Sequence, residues 1–171
     1  FSGSAIALTP ESKTCDAILQ AWYPGQAGGT AIANVLFGDY NPAGRLPVTF
    51  YRSTKQLPDF EDYSMKGRTY RYMTENPLFP FGHGLSYTTF QYGNASLNTS
   101  EIKDGEQVIL TIPVSNTGKY DGEEVAQVYL RHPGDKEGPS HALRAFKRVA
   151  IAKGATNNVT IPLSKENFEW F

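Results

Sequence analysis

The chain has 171 residues, enough for one ordinary domain or two small ones with a sizeable core. It is 40% hydrophobic and 13% aromatic, and its formal net charge of −1 argues against nucleic acid or an anionic membrane surface as a partner. No apolar run reaches the length of a membrane span. The single cysteine, Cys15, excludes an internal disulfide and a cysteine-rich zinc site, and is expected to be a buried or semi-buried small residue.

The first block, residues 1–50, is predicted to have α/β character. Ala5–Leu8 and Ala17–Trp22 are short apolar runs that favour buried strands. After a glycine turn and a helix, Leu46–Phe50 is predicted to return as an extended segment. Two or three strands are too few for a complete doubly wound sheet, so this block is interpreted as part of one.

The glycine turn precedes the predicted helix of this block. Gly25–Gly29 matches neither G-x-G-x-x-G nor G-x-x-x-x-G-K-[ST], and is therefore interpreted as a tight turn rather than a phosphate loop. Ala31–Phe37 is apolar on nearly every side, which indicates a short buried helix. Thr30 is a possible N-cap, and Gly38 is well placed to end the helix.

The second block, residues 51–90, reads as a loop interrupted by prolines. It is dense in aromatic residues, whereas a solvated linker is rich in glycine, serine and charge. We therefore expect it to pack at the seam between two domains. The aromatic residues are Phe60, Tyr63, Tyr70, Tyr72, Phe79, Phe81, Tyr87 and Phe90.

The third block, residues 91–171, is predicted to be all β. Short runs of alternating apolar and polar residues, separated by turn signals, are typical of an antiparallel β-sandwich of the immunoglobulin kind. The predicted strands are Gln107–Asn116, Glu124–Arg131, Leu143–Ile151 and Asn158–Leu163.

Long motifs in all three blocks resemble one known family. Trp22–Pro47 resembles W-x-P-G-x-x-G-G-x-A-x-A-x-x-L-F-G-D-x-N-P-x-G-R-L-P of the family-three glycoside hydrolases, the β-glucosidases and β-xylosidases. Leu78–Phe90 is similar to the P-L-x-P-F-G-x-G-L-S-Y-T-x-F element through which these enzymes enter their last domain. Val114–Gly118, Gly122–Tyr129 and Leu143–Val149 resemble V-x-N-T-G, G-x-E-V-x-Q-x-Y and L-x-x-F-x-R-V of that domain, which is fibronectin-III-like.

The resemblance implies an α+β fold class, with a partial α/β sandwich segment followed by an immunoglobulin/fibronectin-III-like β-sandwich. Residues 1–50 would close the α/β sandwich domain, 51–90 would form an aromatic-rich interdomain segment, and 91–171 would be a C-terminally truncated β-sandwich. The chain begins at Phe1 without methionine, inside an apolar run, so we expect it to be a piece of a longer protein.

The function implied is that of an exo-acting retaining β-glycosidase that removes terminal non-reducing β-linked sugars. The chain would be its structural C-terminal portion, would meet an oligo- or polysaccharide-derived substrate only through the parent, and would pack on a missing barrel and α/β domain. No cofactor is implied, and the location would be secreted or periplasmic. The alternative is a free-standing carbohydrate- or protein-binding β-sandwich module, since the fold alone does not fix function.

Glycoside hydrolysis needs two carboxyl groups that flank the sugar, about 5 Å apart in retaining enzymes. For each carboxylate of this chain, a structural role is preferred over a catalytic one. The resemblance also implies that both catalytic groups lie outside the matched motifs, so no catalytic residue is expected. Histidines lack metal-ligand spacing, so no metal site is expected. The carboxylates weighed are Asp39, Asp59, Glu61, Asp62, Glu75, Glu123 and Glu124, with Glu123 and Glu124 expected at a strand edge or in solvent.

The best candidates for sugar contact are Arg68, Tyr70 and Arg71, because arginine forks bind hydroxyls and tyrosine rings offer a stacking surface. The alternative is that the two arginines join two domains through ion pairs. Gly67–Tyr72 resembles G-R-T-Y-R-F of the β-xylosidase branch, and Asp62–Met65 resembles the D-Y-x-M element before it. These motifs favour a β-xylosidase over a β-glucosidase as the parent.

Overall fold

The chain divides into two units that are not continuous in sequence. The computed structural model of the chain describes residues 1–103 and 105–169. The first unit comprises Phe1–Tyr40, Arg45–Gly84 and Pro133–Ser140, and the second comprises Asn41–Gly44, Leu85–His132 and His141–Phe171. Each unit therefore includes a short segment that lies, in sequence, between stretches of the other.

The helices of the first unit are short, and the longest confirms a prediction. They are α1 (Glu11–Thr14), α2 (Gly28–Phe37), a 3₁₀ helix (Thr54–Gln56) and α3 (Thr69–Tyr72). At the end of α2, Gly38 has a φ of 85° and donates its N–H to the carbonyl of Val35 at 3.2 Å. Because an L-residue rarely adopts that φ, glycine ends the helix where the sequence predicted.

The start of α2 differs from the prediction. The N-cap is Ala27, so Thr30 lies inside the helix and the predicted cap at Thr30 is wrong. A Cβ on Gly28 would lie 2.4 Å from the Cβ of Pro24, so the missing side chain lets the turn fold back on the proline. The N–H of Gly28 then bonds to the carbonyl of Gly25 at 2.9 Å, and the helix begins three residues earlier than expected.

The strands predicted in residues 1–50 are wrong. Neither Ala5–Leu8 nor Ala17–Trp22 has a ladder partner within the described residues, and Trp22 ends its run with a φ of 54°. A strand exists only when its backbone pairs with a neighbour, which an apolar run alone does not supply. The expected return segment is reduced to one isolated antiparallel bridge between Phe50 and Phe79.

The second unit contains the four predicted strands, with small shifts at their ends, together with two short strands and a short helix that were not predicted. Its elements are β1 (Phe90–Tyr92), β2 (Ser96–Leu97), β3 (Val108–Asn116), β4 (Gly122–Leu130), β5 (Ala142–Ile151), β6 (Thr156–Leu163) and α4 (Lys165–Phe168). The four strands named from the sequence are β3, β4, β5 and β6, and each is confirmed to within two residues. The sequence after Gln91 is therefore antiparallel β, as its alternation indicated.

These strands form two antiparallel sheets among the described residues. In the first, β3 pairs with β6 from Val108 opposite Leu163 to Ser115 opposite Thr156, and also pairs with β1 and β2. In the second, β4 pairs with β5 from Gly122 opposite Ile151, with a bulge after Val128. The β4–β5 pairing joins consecutive strands, whereas the β3–β6 pairing joins strands that are separated in sequence by β4 and β5.

The core of the second unit is built from alternate residues of both sheets. In β6, the side chains of Val159, Ile161 and Leu163 are buried, while those between them are exposed or half-buried. They pack with buried residues of β3, β4 and β5, so the two sheets share one core. The remaining buried members of this cluster are Val108, Val114, Ala126 and Ile151.

Two further features bear on the predictions. Cys15 is exposed, so the expectation of a buried or semi-buried residue is wrong, because α1 is a single turn of polar residues with no buried face. At the other end, α4 is capped by Ser164, whose N–H donates to the Oδ1 of Asn167 at 2.7 Å. None of the helices that the structure describes is long and apolar enough to cross a membrane.

Candidate functional site

Arg68 organises the loop that precedes it. Its Nε donates to the carbonyl of Ser64 at 3.0 Å, and its Nη2 donates to the carbonyl of Asp59 at 3.1 Å. Nη2 also donates to the carbonyl of Asp62. The planar guanidinium has five N–H donors, which allows one side chain to hold three carbonyls of a single turn. We call residues 59–66 the Arg68 loop.

Asp62 supplies a second set of bonds within this loop. Its Oδ1 accepts the N–H of Ser64 at 2.8 Å, and its own N–H donates to the carbonyl of Asp59 at 3.0 Å. The pKa of Asp62 is lowered, mainly by the Ser64 N–H, then by the Ser64 hydroxyl, with a smaller contribution from the charge of Arg68. Asp62 and Glu61 both face solvent, as expected for loop carboxylates.

The backbone on either side of Arg68 is held in an unusual conformation. Gly67 has a φ of 71° and Thr69 has a φ of 55°. A left-handed φ at a β-branched residue costs about 1–3 kcal/mol, so the surrounding contacts must compensate for it. One such contact is the hydrogen bond from the N–H of Thr69 to the hydroxyl of Tyr51, at 3.0 Å.

Tyr70 and Arg71 lie in α3 and have structural partners there. The ring of Tyr70 stacks on Phe81 with the centroids 4.1 Å apart and the planes 15° apart. The carbonyl of Arg71 accepts the N–H of Ser140 at 2.7 Å, which ties the segment Pro133–Ser140 to α3. Arg68, Tyr70 and Arg71 are close in sequence, but their described contacts lie within the first unit. Arg68 is hydrogen-bonded to loop carbonyls, and one face of Tyr70 is covered by Phe81.

An aromatic cluster joins the two long signatures within the first unit. Phe50 is only 1% exposed and meets Trp22 and Phe79 edge-on, at centroid distances of 6.1 and 6.4 Å. Phe79 in turn stacks on His83 at 5.2 Å. Burial lowers the pKa of His83, and the nearby charge of Arg45 adds to this, so the neutral imidazole is favoured.

Two asparagines, neither of them predicted as a functional residue, organise hydrogen bonding in the second unit. Asn116 is buried, and its Oδ1 accepts the Thr88 hydroxyl at 2.6 Å and the Gly118 N–H at 3.1 Å. Its Nδ2 donates to the carbonyls of Tyr120 and Ile151, at 2.8 and 2.9 Å. The buried position of Asn116 could have been inferred from the V-x-N-T-G motif, because its asparagine ends an otherwise apolar strand.

Asn41 has the same role at the start of the second unit. Its Nδ2 donates to the carbonyl of Asp121 at 2.9 Å. Its Oδ1 accepts the Ser86 hydroxyl and the Tyr87 N–H, both at 2.8 Å. In the sequence, Asn41 stands out only as the asparagine of the Trp22–Pro47 motif.

The carboxylates of β4 differ from each other. Glu123 of β4 forms a salt bridge with Arg148 of the neighbouring strand β5, which is consistent with the expected edge position. Glu124 is 8% exposed and accepts the hydroxyl of Tyr92 at 2.9 Å, so the expectation of an edge or solvent position is wrong for this residue. It lies two residues before the buried Ala126 and therefore shares the core face of the strand.

A cavity of about 530 Å³ lies on the second unit. It is lined by residues 143–147 of β5 and 160–162 of β6, and none of these carries a carboxylate. Across the part of the chain that the structure describes, no three His, Cys, Asp or Glu side chains are grouped so as to hold a metal ion.

Family comparisons match most of the chain. The model described as the Glycosyl hydrolase family 3 C-terminal domain matches residues 1–87, and that of the Fibronectin type III-like domain matches residues 124–171. The chain belongs to glycosyl hydrolase family 3. The resemblance drawn from the motifs is thereby confirmed, together with the α+β fold class.

Curated relatives in family 3 cover the same stretch of sequence. The chain is 56% identical over 170 residues to a xylan 1,4-beta-xylosidase of Xylanibacter ruminicola, covering 99% of this chain and 19% of the relative. It is 37% identical over 184 residues to a periplasmic beta-glucosidase of Salmonella typhimurium, covering 100% of this chain and 24% of the relative. The chain thus spans about a fifth to a quarter of the length of these relatives.

Solved structures of the family have the same fold. Beta-glucosidase 3B of Thermotoga neapolitana, in complex with glucose, superimposes with a TM-score of 0.84 at 29% identity, over 99% of this chain and 26% of that structure. The β-glucosidase EmGH1 of Erythrobacter marinus gives 0.83 at 38% identity, over 98% of this chain and 22% of that structure.

Proposed function

We propose that this family 3 chain is the C-terminal part of an exo-acting retaining β-glycosidase of the β-xylosidase type. The enzyme would hydrolyse terminal non-reducing β-linked xylose from oligosaccharides. The observation that carries the proposal is the identity of 56% to a xylan 1,4-beta-xylosidase over 99% of the chain, against 37% to a beta-glucosidase. The Gly67–Tyr72 motif supports the same branch.

The proposed role of the chain itself is structural. Several candidate carboxylates have partners that explain them without catalysis: Asp62 bonds Ser64, Glu123 pairs with Arg148 and Glu124 accepts from Tyr92. The catalytic carboxyl pair would then lie elsewhere in the longer enzyme, on which this chain would pack. A secreted or periplasmic location is proposed on the name of the Salmonella typhimurium relative.

The roles proposed for Arg68, Tyr70 and Arg71 change accordingly. Arg68 donates three hydrogen bonds to loop carbonyls, and Tyr70 stacks on Phe81. We propose that these residues act on substrate indirectly, by fixing the shape of the Arg68 loop. Arg71 would support them through its carbonyl bond to Ser140.

The test is the substrate preference of the complete enzyme. We expect kcat/KM for nitrophenyl β-xyloside to exceed that for nitrophenyl β-glucoside by about 10-fold or more. A pocket that excludes one extra group typically discriminates by about 10–200-fold. A ratio below one would contradict the β-xylosidase assignment, and turnover of neither glycoside would contradict the glycosidase assignment.

A further inference from the structure

The segment Asn41–Gly44 belongs to the second unit, although the chain on either side of it belongs to the first. The helix α2 precedes the segment and Leu46–Phe50 follows it. The match to the Glycosyl hydrolase family 3 C-terminal domain includes the segment, whereas the match to the Fibronectin type III-like domain begins only at residue 124. Residues from within the first match are therefore part of the unit that contains the β-sandwich.

Asn41 joins this segment to several parts of the sandwich. Its Nδ2 donates to the carbonyl of Asp121, in the connection between β3 and β4. Its Oδ1 accepts from Ser86 and Tyr87, just before β1, so both lone pairs of the amide oxygen are used. Asp121 in turn accepts the N–H of Lys153 on its Oδ1 at 2.8 Å, which brings the connection between β5 and β6 into the same set of bonds.

The bonds continue from Asn41 to the buried amide of Asn116. The hydroxyl of Ser86 accepts the N–H of Thr88 at 3.3 Å, and the hydroxyl of Thr88 donates to the Oδ1 of Asn116. Thr88 and Asn116 are both buried, so this end of the series of bonds is closed to water, and Ala43 of the segment is buried as well. Further protein packed around a buried contact only covers it more, so these contacts would persist in a longer enzyme.

A glycine and a proline shape the place where the segment docks. A Cβ on Gly122 would lie 2.8 Å from the Nδ2 of Asn41 and 2.8 Å from the Cγ2 of Thr88, so a side chain there would displace one of them. The ring of Pro42 fixes one backbone dihedral of the segment. A segment that is already restricted loses less conformational entropy when it becomes ordered.

We propose that Asn41–Gly44 is a structural part of the β-sandwich and that the sandwich depends on this segment for its stability. Asn41 has the central role, through its three hydrogen bonds. The sandwich of this chain is then not a free-standing binding module, because one of its fixed points lies before residues 45–84 in sequence. The inference concerns the folding of the chain and does not depend on the substrate proposed for the enzyme.

The test is amide hydrogen exchange of the complete enzyme, followed by mass spectrometry of its peptides. In Asn41→Ala, we expect the amides of β3, β4 and β6 to exchange about 10- to 100-fold faster, because the sandwich loses three hydrogen bonds. Peptides from α2, which ends at Phe37, should keep the wild-type rate. Asp39→Ala also shortens a polar side chain, but in the first unit, so it is the matched control and should change neither set of peptides.

A milder variant supports the comparison. Ser86→Ala removes one bond to Asn41 and should accelerate exchange in the same strands by a smaller factor, and it replaces Asn41→Ala if that enzyme does not fold. In the double variant, the effect should be smaller than the product of the two single effects, because both changes remove the same bond. Exchange that rises equally in α2 and in the strands, rises only in α2, or stays at the wild-type rate would overturn the inference.

Discussion

Replacing Asn116 by alanine is expected to lower the free energy of unfolding of the second unit by about 3–5 kcal/mol. The amide is buried and makes hydrogen bonds to Thr88, Gly118, Tyr120 and Ile151. Alanine would leave these groups without the amide in a region closed to water, and each unsatisfied buried group costs about 1–3 kcal/mol. Denaturant unfolding followed by circular dichroism measures the change.

Asn157→Ala is the matched control for this experiment. Its Nδ2 donates one bond, to the carbonyl of Ala150 at 3.0 Å, in an exposed setting. Water can replace that bond, so a loss of no more than about 1 kcal/mol is expected. Equal effects of the two substitutions would show that Asn116 does not organise the sandwich.

Replacing Phe50 by alanine is expected to destabilise the first unit by about 3–5 kcal/mol. The ring is 1% exposed between Trp22 and Phe79, and its removal would leave a cavity that the neighbouring rings fill only in part. The backbone bonds between Phe50 and Phe79 do not depend on the side chain and would remain. The shift of the denaturation midpoint at constant slope gives the change in the free energy of unfolding.

Phe60→Ala provides the comparison, because it removes the same ring from an almost fully exposed position. It should change the free energy of unfolding by less than about 0.5 kcal/mol. If Phe50→Ala were as mild as Phe60→Ala, the aromatic cluster would not be the core of the first unit.

The second unit could be predicted from sequence because its signals are local. Alternation of buried and more exposed residues with a period of two is clear in β6 and at the start of β4. The β4–β5 pairing joins consecutive strands, whereas the β3–β6 pairing spans both of them and is not specified by the local pattern. In the first unit, α2 was predictable in type and at Gly38, where the backbone itself demands glycine. The strand predicted at Ala17–Trp22 is absent, because pairing depends on a neighbour that the apolar pattern does not specify.

The candidate site was only partly predictable. The sequence singled out Arg68 but not its partners, because a guanidinium that binds backbone carbonyls leaves no trace in the identity of the residues bound. It also missed the left-handed Thr69, since a β-branched residue gives no warning of such a φ. The burial of Glu124 could have been predicted, because it lies two residues before Ala126 and therefore on the core face of β4. The domain limits at residues 50 and 90 stay predictions.

Locating the catalytic nucleophile in the complete enzyme shows whether this chain is structural or catalytic. In a retaining glycosidase, a 2-deoxy-2-fluoro-β-xyloside with a good leaving group traps the covalent glycosyl-enzyme intermediate on that carboxylate. Proteolysis and mass spectrometry then identify the labelled peptide. We expect the label on a peptide outside these 171 residues. A label on Asp59, Glu61, Asp62 or any other carboxylate of this chain would contradict it.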